Sequence, residues 1–170
     1  MAGRGPTAKN FSYDKDTGYA ELATRFKGHG ASVFVGFLQS SGLHRQKPGD
    51  KAEPLTVAQI GAIHEFGSRD GRIPQRSFLG ATIDEKDAAL RGLVAKLLAK
   101  MVDGKIHEVV ALGIIGQTVK DWVRAKITKG IKPKLAASTL RSKGADKSTP
   151  LIEQGQLIGS ITFEVRKGGK

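Results

Sequence analysis

Between Phe78 and Lys129 the chain carries two helix-length stretches with apolar residues at helical spacing, interrupted only around Asp103-Gly104. In the first, Leu79, Ile83, Leu90, Leu93, Val94, Leu97 and Met101 fall within one narrow stripe, which predicts a helix from Phe78 to about Val102 with that stripe buried. Ser77 stands where a helix cap belongs. Asp84, Glu85 and Asp87 come early and Lys96 and Lys100 late, the order that the helix dipole favours. A second helix is predicted from Ile106 to about Lys129, closed by Gly130 and Pro133. Its first half is apolar all round and is expected to be the better buried. In its second half Val119, Trp122, Val123 and Ile127 oppose Gln117, Lys120, Asp121, Arg124 and Thr128.

Two strands are expected to receive these helices. Ala31 to Leu38 is β-branched and aromatic at alternating and intervening positions, which predicts a strand covered on both sides and central to a small sheet. In Ser160 to Arg166, Ile161, Phe163 and Val165 alternate with Thr162 and Glu164, so a half-buried strand pairing with the first is expected. A further helix, Leu55 to Phe66, has one stripe at Leu55, Ala58, Ala62, Ile63 and Phe66 and a second apolar side at Val57, Ile60 and His64. Such a helix lies either deep in a core or half in a core and half in a subunit interface. The predicted fold class is α+β: a small antiparallel sheet packed by two long helices and shorter ones. A flexible arm is expected at 1–18, a single domain at 19–166 and a flexible end at 167–170. Within the domain, Tyr19 to Lys27 forms a short helix or strand and Gln39 to Pro54 a long exposed loop suited to contacts. Lys134 to Ser142 is read as a short helix, Lys143 to Thr149 as a polar loop, and Pro150 to Leu157 as a turn or short helix.

Several function classes lose support here. The chain has no cysteine, so neither disulfides nor a thiol nucleophile are available. His64-Glu65 lacks the second histidine of a zinc-protease helix, because Ser68 occupies its place, and His29, His44, His64 and His107 have no metal-ligand spacing. Gly28-His29-Gly30 and Gly144 to Thr149 lack the form of a phosphate loop. No nucleophile elbow or paired carboxylates appear, so no enzyme, cofactor or metal is expected. The longest apolar run, Val109 to Ile115, is far short of the roughly 20 residues needed to span a bilayer, and no membrane association or secretory signal is expected.

The charge is uneven. The formal net charge is +12. Lys120, Arg124, Lys126, Lys129, Lys132, Lys134, Arg141, Lys143 and Lys147 face only Asp121 and Asp146 in their stretch, a candidate contact for DNA or an acidic partner against the plainer reading of a solvated face. Thr56 to Gly61 resembles the first helix of a helix-turn-helix, but about ten residues including Pro74 separate Phe66 from the next helix, where that motif needs a turn of three or four.

Two separated signatures remain: Ile63-His64-Glu65-Phe66-Gly67 followed by Ile73-Pro74-Gln75-Arg76-Ser77-Phe78-Leu79, and later Pro150-Leu151-Ile152, Gly155-Gln156-Leu157 and Ser160-Ile161. Their order, with two long helices between them, resembles the tail-completion and virion-morphogenesis proteins of tailed bacteriophages over about residues 31 to 166. Glu153-Gln154 stands where that family usually has Asp-Thr, and Ser77 where proline is frequent. The resemblance implies a non-enzymatic tail-completion or tail-terminator (neck) protein, joining tail tube to head connector as a homo-oligomeric ring, a hexamer being the expected size. Implied partners are connector or stopper and tail-tube proteins, with genomic DNA passing through the lumen. Implied localisation is the virion, after assembly in the bacterial cytoplasm. Glu65, Phe66, Gly67, Ile73, Pro74, Arg76, Phe78 and Leu79 are expected to fix the loop orienting the helices, with Arg76 pairing with Glu65. Pro150, Leu151, Gly155 and Leu157 are expected to anchor the last strand, Gly155 through a backbone shape other residues resist. A basic, non-enzymatic DNA-binding protein of phage or bacterial origin is the alternative.

Overall fold

A computed structural model describes residues 30–38, 42–43, 53–133 and 155–167. In chain order these form strand β1 (Ser32–Phe37), helices α1 (Val57–Phe66), α2 (Gly80–Val102) and α3 (Glu108–Lys129), the short helix α4 (Gln156–Ser160) and strand β2 (Ile161–Arg166). The fold is α+β. The readings for 1–18, Tyr19 to Lys27, Lys134 to Ser142 and Lys143 to Thr149 lie outside the described residues, as do most of Gln39 to Pro54 and all of 167–170 except Lys167.

β1 and β2 pair antiparallel from Ser32↔Arg166 to Phe37↔Ile161, the pairing expected from their patterns. Opposed residues share a face, so Val33, Val35 and Phe37 lie with Val165, Phe163 and Ile161. That face meets α3. Gly116 permits the approach: a Cβ there would come within 2.5 Å of the Phe163 ring and 2.8 Å of a Val33 methyl. α2 and α3 form an antiparallel hairpin, tied near its open end by a charged hydrogen bond from Lys126 to Glu85. At its closed end Gly104, at φ 70°, follows the last helical turn, with Gly104 N donating to Met101 O and Lys105 N to Lys100 O. The core joins Val57 of α1, Phe78, Val119, Val123 and Ile127 of α3, Ile131, Leu157 of α4 and Ile161 of β2.

Five expectations are corrected. Helix α1 starts at Val57, not Leu55, because Thr56 and Gln59 form a reciprocal cap: Gln59 N donates to Thr56 Oγ1 and Thr56 N to Gln59 Oε1. Its inward face is the side bearing Val57, Gly61 and Glu65, while Leu55, Ala62 and Phe66 are exposed, Phe66 by 75%. A buried carboxylate thus decides which side of α1 turns in. Among the described residues strand β1 has one neighbour, not the two of a central strand, and its second side is open at Ser32 and Phe34 and buried only at Gly36. In α3 the second half, not the first, is the better buried. The inward stripe is Ala111, Gly116, Val119, Val123 and Ile127, and Val109, Val110 and Ile114 fall off it into solvent. Burial follows facing, not composition. In α2, likewise, Leu97 is buried and Leu90, Leu93 and Met101 half-buried, but Ile83 and Val94 are exposed.

Two glycines of α3 are expected to respond oppositely. Nothing lies within 4 Å of a Cβ at Gly113, so Gly113→Ala is expected to raise stability by about 0.5–1 kcal/mol through helix propensity. Gly116→Ala gains the same propensity but must displace Phe163 and Val33, at an overpacking cost of about 1–3 kcal/mol, and is expected to lower the denaturation midpoint. Thr56→Ala is expected to cost about 1 kcal/mol in the same assay by removing the α1 cap.

Candidate functional site

The stretch between α1 and α2 holds most of the first signature, and its backbone is bonded at several points. Gly67 leaves α1 at φ 84°, where a Cβ would also sit 3.2 Å from both Ile73 O and Gln75 N. The following turn closes on itself: Ser68 N donates to Ile73 O, Ile73 N to Ser68 Oγ, and Ser68 Oγ to Asp70 Oδ1. Arg76 N then donates to His64 O at 2.7 Å, returning the chain to the end of α1. The loop is a fixed connector.

Glu65 completes it. Its buried carboxylate accepts from Phe78 N (2.8 Å) and Leu79 N (2.9 Å) on Oε2, and from Gly80 N (2.9 Å) and Ser77 Oγ (2.6 Å) on Oε1. Ser77 Oγ in turn accepts from Ala81 N. The first amides of a helix lack intrahelical acceptors and carry positive partial charge, so a carboxylate from α1 caps α2 across the chain. Burial pushes the Glu65 carboxyl upward, but the Ser77 hydroxyl and the amides of Leu79, Gly80 and Phe78 outweigh it and hold the pKa below its ordinary value. Asp84, Glu85 and Asp87 therefore do not serve as first-turn charges, because α2 begins at Gly80 and Glu65 already fills that role. Glu85 bonds Lys126 and Asp87 bonds Arg91 instead.

The expected pairing of Arg76 with Glu65 does not form. Arg76 is buried, and its Nε donates to Pro133 O at 2.8 Å, fastening the connector to the chain just after α3. Burial alone lowers its pKa from the ordinary value. Phe78 is fully buried and meets the Phe37 ring edge-on at 5.8 Å between centroids. Ile73 and Leu79 are half-buried, Pro74 is exposed, and Phe66 takes no part in the connector.

The second signature is described from Gly155 onward; Pro150 and Leu151 lie outside the described residues. Gly155 is left-handed at φ 67°, the backbone shape expected of it, and Leu157 is buried in the same core as Phe78. The two signatures therefore meet.

The basic stretch divides. Arg124 donates to Gly159 O and Ile161 O, securing the junction of α4 and β2; Lys120 lies 5.5 Å from the Phe163 ring centroid; Lys126 bonds Glu85. Lys129 and Lys132 are exposed at the end of α3, while Lys134, Arg141, Lys143 and Lys147 lie outside the described residues. Among the described residues no group of His, Asp and Glu is arranged to hold a metal ion, and no helix is long and apolar enough to cross a membrane. No protein-family model, curated protein or solved structure matches the chain.

Sequence reasoning named Glu65 but missed its role, which needed the amides of Phe78 to Gly80 to be known as a helix start. It also missed the Thr56-x-x-Gln59 cap, although that pattern is readable in the chain. Glu65→Gln is expected to lower stability at neutral pH by about 2–3 kcal/mol, since an amide brings donors against donors. The native pKa is lowered, so this contribution is full above the ordinary value of 4.5 and lost as pH falls through the native value. Denaturant titrations across this range are expected to show wild type and variant converging on the acid side.

Proposed function

We propose that the chain is a structural virion subunit of a tailed bacteriophage, a ring-forming tail-completion or tail-terminator protein joining the tail tube to the head connector around the DNA channel. Its work is assembly, in the bacterial cytoplasm and then in the virion neck. The order of the two signatures supports the family, and the connector built from them supports a rigid subunit.

The observation that carries ring formation is two apolar surfaces at opposite ends of α2. One is the outer side of α1, where Leu55, Ala62 and Phe66 are exposed beside a groove of about 410 Å³ between α1 and β1. Leu79, just before α2, lines that groove. The other is at the closed end of the hairpin, where Val94, Leu98 and Val102 of α2 and Val109, Val110 and Ile114 of α3 are exposed. The 23 residues of α2 separate its ends by about 34 Å. A subunit's hairpin tip is therefore out of reach of its own groove, and a tip seated in a neighbour's groove is a head-to-tail contact, the kind that closes into rings.

Light scattering after gel filtration, at low and moderate salt, tests this reading. The expected mass is that of a closed ring of about six copies. Phe66→Asp and Leu98→Asp, one on each surface, are each expected to give monomers with unchanged helix content. A wild-type protein that stays monomeric at every concentration would sink the ring and favour the basic DNA-binding reading.

A further inference from the structure

We infer that the cleft between the start of α2 and the end of α3 binds the phosphate backbone of DNA. It encloses about 830 Å³ and is walled by Lys86 and Glu85 from α2, Trp122, Lys126 and Lys129 from α3, and Lys132 beyond it. Four ammonium groups thus face one carboxylate. Glu85 is already bonded to Lys126, whose side chain is only 18% exposed. Lys86 sits over the Trp122 ring, 6.0 Å from its centroid. Lys129 and Lys132 stand exposed at the mouth.

The helix dipole accounts for only part of this set. Lys126 and Lys129 lie in the last turn of α3, where cations are favoured, but Lys86 belongs to another helix and Lys132 follows the helix end. The cations come from three places in the chain and converge, and a cleft with a net excess of one sign between low-dielectric walls concentrates the opposite charge. All four are lysines. Point charges suit single phosphate oxyanions, whereas planar carboxylates are matched by the forked guanidinium, which no residue lining this cleft supplies. Trp122 offers an apolar wall for the sugars between phosphates. The site needs no contact between subunits, so it holds or fails separately from ring formation.

Trp122 is the one tryptophan of the chain, so its emission reports on the cleft. Titration of the full-length protein with a short DNA duplex is expected to shift or quench that emission saturably, with an affinity that falls steeply as salt rises. In the double variant Lys129→Glu, Lys132→Glu, affinity is expected to fall at least about tenfold, and the slope of log affinity against log salt to drop by about two, one for each lost phosphate contact. Both positions are exposed, and circular dichroism and light scattering of the variant are expected to match wild type. An emission that ignores DNA, a double variant that binds as wild type, or polyglutamate binding as well as DNA at equal salt would each overturn the assignment.

Discussion

The Glu65 carboxylate is the interaction on which the rest of this structure depends. A single side chain at the last turn of α1 satisfies three amides and a hydroxyl at the start of α2, and so sets the angle between the two helices. Because that carboxylate must face inward, Val57 and Gly61 face inward with it and Phe66 is turned out. Because α2 starts where Glu65 can reach, Phe78 is buried against Phe37, which joins the helical hairpin to the sheet. One polar contact therefore orders two apolar ones. A carboxylate so shielded from solvent is tolerable because its lone pairs are taken by donors that would otherwise also be unpaired.

Local pattern was a good guide wherever one face of an element alone settled its place. The alternation of Ile161, Phe163 and Val165 gave β2 its facing, and Asp103-Gly104 and Gly130 marked helix ends that the structure keeps. Pattern failed where an element is apolar on more than one side. Leu55, Phe66, Val94, Val110 and Ile114 are as hydrophobic as the residues that pack, and only the position of neighbouring elements distinguishes them. The candidate site was legible in its glycine at 67 and its buried Phe78. The partner of Arg76 was not, because Pro133 O is a backbone atom far along the chain and leaves no trace in residue type.

The same limit explains the cationic stretch. Read along the chain, Lys120 to Lys147 is one basic run; in its described part Arg124 is a structural donor to the carbonyls of α4 and β2, and Lys126 is held by Glu85. Lys86, outside the run, joins the cleft instead. Function on this surface depends on which cations converge, and linear charge density is a poor measure of that.

The sheet has a consequence for how the chain reaches this structure. Ser32 pairs with Arg166 across nearly the whole described length, whereas α2 and α3 are joined by a short turn. Contacts of such different sequence separation do not form together: hairpin closure involves little loss of chain entropy, and joining β1 to β2 involves much. During synthesis β1 leaves the ribosome well before β2, so among the described residues its pairing waits for the last element. Topology therefore favours an order in which the α2–α3 hairpin closes first and the face of α3 that Gly116 opens for Phe163 is covered by the sheet afterwards.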